Sequence, residues 1–448
     1  MARPNQSRRF AALSLTAVMA VAAAGCGDSS SGEDDNGAGG ISGQAQKDTG
    51  AATDGTIKIG LLSTLDGPFA VLGEAANQGA KAAFVDAGAT LDGTGPRDGI
   101  SDLKIGDQSV ELVIGSSDAT PDSALAAARQ LVEKDHVDIL VGPLSGDEGL
   151  AIKDYAKQHP DVTFVNGTSG AQNTTLRDPA ANFFRFTTDG TQWMAGLGDY
   201  TATTLGYKKV VTIGEDYSFP YDQVGGFMTP FCAAGGTVPT KIWVPIGTKD
   251  FSSFISQIPD DVDALYVALG GADALNFTKQ LDESSLKGTP IIGGSITADG
   301  SLIEGLGDRA DGIVSAGPVA VLDTPEYDNY ATLLKGNYPE SGPPGLFDIG
   351  YYIEAKSTLL ALEDVDGKLD DDHKALNAAL SGLTWDTPTG PVKLDENRQA
   401  ISNNYLFKVE GGASTLIDTI PDVNQTLGFD RDEYIAKPAN DRDNPSCP

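Results

Sequence analysis

Short apolar runs that alternate with longer helical segments, beginning at Ile57, constrain the fold of this 448-residue chain most. Runs such as 57–62 and 138–142 are too short for helices and are typical of buried strands. Between them lie segments such as the Ala-rich stretch 73–88, which stops at a glycine as helices do. Short strands separated by helices favour parallel sheets covered on both faces, so we predict an α/β fold.

The same pattern predicts the individual elements. The predicted strands are 57–62, 110–114, 138–142, 162–165, 209–213, 242–244, 263–268, 290–293 and 404–409. The predicted helices are 73–88, one that opens at Thr120-Pro121, 147–158, 191–205, 221–234, 250–257, 272–284, 325–336, 347–363 and 373–382. The period repeats after Arg185, and the chain is longer than one core usually organises. We therefore expect two similar α/β lobes.

Charge and residue usage exclude several function classes. Asp and Glu total 63 against 31 Lys and Arg, a formal net charge of −32. A surface this acidic repels phosphate backbones, so we predict no nucleic-acid partner. Three His and three Cys without CxxC or HExxH spacing leave little material for a metal site, and we predict neither metal nor cofactor. A GxSxG elbow and a Walker A loop are also absent, so we expect no enzymatic activity.

The N-terminus carries an export signal. A basic start is followed by the apolar run 10–25, which is too short to span a bilayer comfortably. The run ends in Ala-Ala-Gly-Cys at 23–26, which resembles the lipobox of bacterial lipoproteins, and Cys26 is then the lipidated residue. We predict a lipoprotein signal peptide at 1–25, with an ordinary signal peptide cut nearby as the alternative. Lipidation would anchor the chain on the extracytoplasmic face of the cell membrane.

The segment 26–55 is rich in Ser, Gly and acidic residues and has almost no large apolar side chain. Such a composition cannot bury a core, and it predicts a disordered tether between an anchor and a folded body.

Turns at the carboxyl ends of the predicted strands are the candidate binding site, because open α/β sheets bind ligands there. These turns are rich in Gly and hydroxyl residues, whose N–H and O–H groups can hold an anion such as a carboxylate. They comprise residues 63–73, 142–149, 166–170, 214–219, 270–273 and 293–297.

From residue 56 to about 436, the chain resembles the type I periplasmic solute-binding proteins of the leucine/isoleucine/valine-binding family, which serve ABC importers. The resemblance is carried by five motifs in order: DGPFAVLG (66–73), VGPLSG (141–146), NGTSGAQNT (166–174), YVALGGADAL (266–275) and GYYIEAKSTLLAL (350–362). It implies two Rossmann-like parallel-sheet lobes joined by a three-crossover hinge, with the ligand in the cleft between them.

The resemblance also implies a domain plan. Lobe I would comprise 56–187 and a returning segment 318–399, and lobe II would comprise 188–317. The segment 400–448 would add a closing strand and a C-terminal tail to lobe II. The crossovers would lie near 187–189, 317–318 and 397–402.

By matched position, the resemblance implies that first-lobe groups hold a ligand carboxylate. These groups would be Gly167, Thr168 and Ser169, together with Ser145 or Gly146, between which the register stays open by one residue.

The resemblance assigns aromatic and acidic roles as well. Tyr217 or Phe219 of the second lobe would cover the ligand, and Phe69 would close the other side. The family holds an amino-acid ammonium group with an acid at the position of Ser295, and Asp273 or Glu215 could supply the charge instead.

The resemblance places Cys232 on a second-lobe helix and returns the tail to that lobe, so we predict a Cys232–Cys447 disulfide in an oxidising compartment; two free thiols are the alternative.

The implied function is delivery of a small carboxylate-bearing solute, of the branched-chain or hydrophobic amino-acid type, to ABC permease subunits. A ligand-sensing receptor module, and a binder of amides or aromatic carboxylates, remain alternatives.

Overall fold

A computed structural model describes residues 55–297 and 300–447 of the chain. The predicted signal peptide, the lipidation site Cys26 and all of the predicted tether except Gly55 lie outside these residues.

The described residues alternate between strands and helices for most of their length. The strands are β1 (Thr56–Thr64), β2 (Thr90–Leu91), β3 (Ile100–Ser101), β4 (Lys104–Ile105), β5 (Gln108–Ser117), β6 (Ile139–Val141), β7 (Thr163–Val165), β8 (Phe183–Phe184), β9 (Val210–Glu215), β10 (Lys241–Val244), β11 (Ala264–Ala268), β12 (Ile291–Gly293), β13 (Val314–Gly317), β14 (Trp385–Thr387), β15 (Gly390–Leu394), β16 (Ala400–Glu410) and β17 (Ala413–Val423). The helices are α1 (Ala70–Asp86), α2 (Pro121–Arg129), α3 (Gly146–Ala156), α4 (Leu197–Thr203), α5 (Ser218–Ala233), α6 (Ser252–Ile255), α7 (Gly271–Asp282), α8 (Gly300–Leu306), α9 (Pro325–Asn337), α10 (Leu346–Asp364), α11 (Lys374–Gly382) and α12 (Arg431–Ala436).

Two large sheets organise these elements, and β2 and β3 form a separate antiparallel pair. The first sheet has the strand order β4-β5-β1-β6-β7-β8 and is parallel from β5 to β8. The second sheet has the order β10-β9-β11-β12-β13-β16-β15-β14, with β17 paired to β16. It is parallel from β10 to β13 and antiparallel beyond. The predicted α/β fold with two parallel-sheet lobes is therefore confirmed.

Helices α1 and α10 cover one face of the first sheet and pack closely against each other. Their approach depends on small residues: a Cβ added to Gly79 of α1 would lie 1.8 Å from the carbonyl oxygen of Asp348 in α10. Ala76, Ala80 and Ala83 of α1 are fully buried beside it. The Ala-rich composition that predicted helix α1 thus also sets how near α10 can lie.

The predicted helix 191–205 is wrong as a single element. The structure has a 3₁₀ turn at Gln192–Met194, and α4 begins only at Leu197. Gly196 between them has φ +82°, a left-handed backbone that glycine adopts at little cost and that ends a right-handed helix. The predicted helix 250–257 is also shorter, because α6 comprises only Ser252–Ile255.

A buried guanidinium, Arg185, ties the end of the first sheet to a later part of the chain. Its Nε donates to Gln399 Oε1, and Nη2 donates to Thr175 Oγ1 at 2.6 Å. Nη2 also forms an ion pair with Asp189 Oδ2 at 3.4 Å, and both side chains are fully buried. Residues 185–189 and 398–400 therefore lie side by side.

Glu354 of α10 holds the same stretch of chain from the other side. Its carboxylate accepts hydrogen bonds from the backbone N–H of Phe186 at 3.0 Å and from the N–H and hydroxyl of Thr187 at 2.8 and 2.9 Å. Burial outweighs these bonds and raises the pKa of Glu354 to about 8.

The C-terminal segment 424–447 contacts elements of both sheets. It first lies along the 172–177 loop, where Gln172 Nε2 donates to Gln425 O at 2.7 Å and Arg177 Nη1 donates to Ile435 O at 2.5 Å. It then reaches α5, where Asn440 Nδ2 donates to Asp222 Oδ1 at 3.0 Å. The expectation placed the tail on the second lobe, and the structure adds this earlier contact with the loop between β7 and β8.

We predict that Arg185→Met lowers the free energy of unfolding by about 3–5 kcal/mol, because it leaves the carboxylate of Asp189 buried without its counter-charge. Urea denaturation measures the loss. The matched control is Arg97→Met, which removes an ion pair with Asp66 at the surface. The side chains of Arg97 and Asp66 are 54% and 61% exposed, so this variant should lower the free energy of unfolding by less than about 1 kcal/mol. Equal costs for the two variants would contradict the prediction.

Candidate functional site

Turns at the carboxyl ends of the two sheets face each other and touch. Asp147, in the first turn of α3, accepts a hydrogen bond on Oδ1 from the backbone N–H of Ser218 at 3.3 Å. Ser218 is the first residue of α5, which follows β9 of the second sheet. The candidate site is this junction, where loops after β6 and β7 meet the start of α5.

Phe219 is the aromatic residue that the second sheet presents to the first. It is 7% exposed, and its ring lies over Gly170, where an added Cβ would come within 2.8 Å of Cδ2. It also packs edge-on against Trp193, with ring centroids 5.4 Å apart. Tyr217 is half-buried next to Phe219, with centroids 6.2 Å apart. Of the two predicted covering aromatics, Phe219 is the one that reaches the first-sheet turn.

A narrow cavity lies beside Trp193, bounded by first-sheet elements, by the second sheet and by the chain segments that run between them. About 20 Å³ of it is accessible to the centre of a water molecule, which is room for about one water. A solute therefore requires the walls to separate. The cavity is lined by Thr168, Phe186, Thr187, Thr188, Trp193, Pro318, Val319, Leu346, Ile349, Gly350, Ile353, Thr387, Thr389, Val392, Ser402 and Asn403.

Three polar atoms in this lining are buried and have no hydrogen-bond partner among the described residues. They are Thr168 Oγ1, Thr188 Oγ1 and Trp193 Nε1. An unpaired buried polar group costs about 1–3 kcal/mol, so these three groups favour a partner that enters the cavity. A water or a ligand atom can supply these bonds.

The predicted carboxylate-binding residues divide into two groups. Thr168 lines the cavity, whereas Ser169 and Gly167 do not. The hydroxyl of Ser169 instead faces helix α3, where a Cβ added to Gly149 would lie 1.8 Å from it. Gly167 is enclosed by Tyr351 of α10 and by the carbonyl of Pro143.

Ser145 and Gly146 lie at the start of α3 and outside the cavity lining. The hydroxyl of Ser145 donates to Ala119 O at 3.1 Å, so it is already engaged within the first-sheet elements. Gly146 faces the second sheet: an added Cβ would lie 2.6 Å from Ser218 Oγ, which has no partner among the residues described. Phe69 ends a 3₁₀ turn before α1, is half-buried and also lies outside the lining.

The three second-lobe polar candidates differ in how they are bonded. Ser295 Oγ accepts from Gln223 Nε2 at 2.5 Å, and Asp273 Oδ2 accepts from the N–H of Gly247 at 2.8 Å. Burial raises the pKa of Asp273. Glu215 is 2% exposed, and only its Oε1 is bonded, to the N–H of Gly270 at 3.1 Å. Burial raises the pKa of Glu215 to about 8.

Thr188 and Trp193 line the cavity but were not among the predicted site residues. Both follow the first sheet along the chain: Thr188 lies in the stretch 187–189 that the resemblance assigned to a crossover, and Trp193 lies in the 3₁₀ turn just after it. The signal available in the sequence was a lone tryptophan in a region of small and hydroxyl residues, 187–202.

Within the described ranges, no group of three or more His, Cys, Asp or Glu side chains could hold a metal ion. In the same ranges, no helix has the length and apolar character needed to cross a membrane.

The two facing α/β sheets match a known family. The periplasmic binding protein family model matches residues 56–413. The chain belongs to the periplasmic binding protein family. A curated relative is Leu/Ile/Val-binding protein homolog 6 of Brucella melitensis, 28% identical over 370 residues that cover 80% of this chain and 89% of the relative.

Solved structures agree with this membership. An ABC transporter substrate-binding protein from Sphaerobacter thermophilus is 28% identical, with a TM-score of 0.73, and covers 83% of this periplasmic binding protein and 100% of that chain. A solute-binding protein of an ABC transporter from R. palustris, solved in complex with benzoate, is 25% identical, with a TM-score of 0.73. The match covers 83% of this protein and 98% of the R. palustris chain.

We predict that Gly170→Ala destabilises this periplasmic binding protein by about 1–3 kcal/mol, because the new methyl group overlaps the ring of Phe219. Phe219→Leu in the same chain should recover part of that loss, and a double-mutant cycle by thermal denaturation measures the coupling. Gly336→Ala in α9 is the control, because a Cβ there meets no atom within 4 Å. Strictly additive effects of the two site variants would show that the ring does not rest on this turn.

Proposed function

We propose that this protein binds a small, carboxylate-bearing solute between its two lobes and delivers it to the permease subunits of an ABC importer. The observation that carries the proposal is the cavity where both sheets meet, with the unpartnered polar atoms of Thr168, Thr188 and Trp193 in an apolar lining. Neutral O–H and N–H donors suit a carboxylate, and aliphatic walls suit an apolar body. A relative bears a Leu/Ile/Val-binding name, in line with a hydrophobic amino acid.

An aromatic carboxylate is the second candidate solute. The cavity places Trp193 and Phe186 among aliphatic side chains, and such a lining accepts a planar ring. The R. palustris relative in complex with benzoate supports this alternative.

Binding would operate by closure of the two lobes, with lobe I at 56–187 and 318–399 and lobe II at 188–317 and 400–448. The contacts between Phe219 and Gly170 and between Ser218 and Asp147 are small, so they can open and reform. A solute that touches both walls only when they are together shifts the equilibrium to the closed form. The closed form is then the one that docks on the permease.

The setting of this function is extracytoplasmic. We propose that residues 1–25 are removed as a signal peptide and that Cys26 carries the lipid that holds the protein at the membrane. A ligand-sensing receptor module would use the same lobes, and the importer is favoured because members of the family serve as substrate-binding proteins of ABC transporters. We propose no catalytic role.

A thermal-shift screen of the purified body against amino acids and aromatic carboxylates tests the proposal. The strongest binder is then titrated by calorimetry, and small-angle scattering should show compaction at saturation. If no compound binds, the proposed function fails. If a compound binds but the radius of gyration does not change, the closure mechanism fails.

We predict that Thr168→Val weakens binding of that compound by roughly 1.5–3 kcal/mol, the range for a hydrogen bond to a charged group. Thr201→Val is the matched control, because Thr201 Oγ1 is also buried without a partner but lies in α4, outside the cavity lining. Ser169→Ala should leave the affinity unchanged, because the hydroxyl of Ser169 faces α3 rather than the cavity. A loss of affinity would instead support the expectation from the sequence that Ser169 holds the carboxylate. Unchanged affinity in Thr168→Val would contradict the role of Thr168.

We also propose that a disulfide joins Cys232 of α5 to Cys447 of the tail. The two Cα atoms lie 5.7 Å apart, inside the range that a disulfide spans, although the two cysteines are 215 positions apart in the sequence. Such a bond would hold the tail on the second sheet in an oxidising compartment.

For a Cys26→Ser form, we predict no alkylation of the denatured protein without reductant and two adducts after reduction, measured by intact mass. Cys232→Ser should lower stability by about 2–5 kcal/mol, and adding Cys447→Ser should cost little more, because the bond is already lost. Two adducts without reductant would mean free thiols.

A further inference from the structure

The C-terminal segment 424–447 contacts the two sheets in two separate stretches. The first stretch, 424–437, lies on the loop between β7 and β8 of the first sheet. Arg177 of that loop donates from Nη1 to Ile435 O at 2.5 Å and from Nη2 to Lys437 O at 2.8 Å. Because the guanidinium donors have fixed relative positions, two such bonds hold the backbone of this stretch firmly against the loop.

The second stretch, 440–447, lies on elements of the second sheet. It begins at Asn440, whose Nδ2 donates to Asp222 Oδ1 of α5 at 3.0 Å. The approach to α5 is close, because a Cβ added to Gly225 would lie 2.3 Å from Asn440 Oδ1. This residue is therefore seated on the helix that follows β9.

Further contacts hold the rest of the second stretch. Trp243 of β10 donates from Nε1 to Arg442 O at 2.9 Å, and Arg442 forms an ion pair with Asp216 at 3.0 Å. Near the end of the chain, Cys447 lies beside Cys232 of α5, with its Cα atom 5.7 Å away, and the proposed disulfide would make this attachment covalent.

Only Pro438 and Ala439 separate the two stretches. Lys437 and Asn440 are three positions apart, so their Cα atoms can separate by at most about 11 Å. The chain thus passes from the first-sheet loop to α5 here, after an earlier passage from β17 to that loop at 423–425. Neither passage was among the three expected crossovers, because the domain plan placed the whole tail on lobe II.

A direct bond between the sheets lies on the same side of the junction. The N–H of Gln172 donates to Asp222 Oδ2 at 2.7 Å, and Asn440 Nδ2, which bonds Asp222, also donates to Gln172 Oε1 at 3.3 Å. The tail therefore reinforces a place where the two sheets already meet. This side of the junction cannot separate widely unless one end of the tail is released.

We propose that residues 424–447 form a strap that keeps this side of the junction together and limits how far the lobes separate when the cleft opens. The inference rests on the proposed closure of the lobes on a solute, and it adds what sets the width of the open form. A narrow open form leaves both walls near their closed positions, so closure takes less of the free energy of binding.

Distances across the cleft, measured without any solute, test the strap. Nitroxide labels are coupled to a ketone-bearing amino acid at positions 71 and 246, so that the cysteines stay unmodified. Val71 of α1 and Ile246 after β10 are 69% and 46% exposed, and both follow the carboxyl end of a strand, in different sheets. Double electron–electron resonance then gives the distance distribution, which should be narrow in the wild-type protein.

Two variants release the strap at opposite ends. Arg177→Met releases the first-sheet end, and removal of residues 438–447 together with Cys232→Ser releases the second-sheet end. Each should shift the distribution to longer distances and broaden it, and the combination should add little, because a strap with one free end is already released. Arg309→Met is the matched control: it removes an ion pair with Asp282 that involves no residue of the strap, and it should keep the wild-type distribution.

Solute affinity is a second readout. For whichever of L-leucine and benzoate binds the wild-type protein, each release variant should raise Kd by about 2–10-fold, the range that corresponds to the net contribution of one hydrogen bond. Calorimetry on the whole folded body measures the change. Unchanged affinity at longer distances would overturn the claim that the width of the open form affects binding.

The outcomes separate the strap from the proposed function. If both release variants keep the wild-type distances, the strap is overturned even where thermal denaturation shows a loss of stability. If the shifts from the two ends add in full, the ends act separately and the strap is likewise overturned. If the truncated form does not fold, Arg177→Met decides, since it changes a single half-buried side chain. If neither solute binds, that result counts against the proposed function alone, and the distances still decide on the strap.

Discussion

The buried guanidinium of Arg185 is the constraint on which the geometry of the site depends. It donates to the carbonyls of Ser169 and Ala171 at 3.1 and 2.8 Å while it also bonds Gln399 and Asp189. The turn after β7 is thereby tied to the segment that leads from the first sheet to the second. A planar group with fixed donors determines where these chain segments lie, since moving any one of them leaves a buried donor unpaired. The wall that carries Thr168 is consequently rigid.

The contact between the sheets has the opposite character. Phe219 rests on Gly170 without a hydrogen bond, Ser218 makes one backbone bond to Asp147, and the N–H of Gln172 donates to Asp222 Oδ2 at 2.7 Å. Few bonds are lost when these surfaces separate, so a rigid first wall can work with a second wall that moves. The C-terminal segment spans this junction, bonded to Gln172 on one side and to Asp222 on the other.

Sequence periodicity predicted most of the parallel strands and the long helices, because burial of short apolar runs leaves a strong pattern. It missed β13, which pairs in parallel with β12 and is buried but is only four residues long, and it missed β14, β15 and β17. These last three pair antiparallel, and many of their residues are exposed, so they carry little periodic signal. Family motifs predicted turns that lie where the two sheets meet, but such motifs do not specify how the individual side chains are oriented. Ser169 illustrates this limit, because Gly149 in the preceding helix α3 leaves the space into which the Ser169 hydroxyl turns.

The cavity takes its lining from both sheets, and this gives a solute a way to hold the walls together. Thr168 follows β7 of the first sheet, whereas Pro318 follows β13 and Ser402 belongs to β16 of the second sheet. The free donors beside Trp193 are neutral. A solute that bonds to Thr168 and packs against the residues after β13 would touch both walls only when the walls are together, so binding and closure would arise from the same contacts.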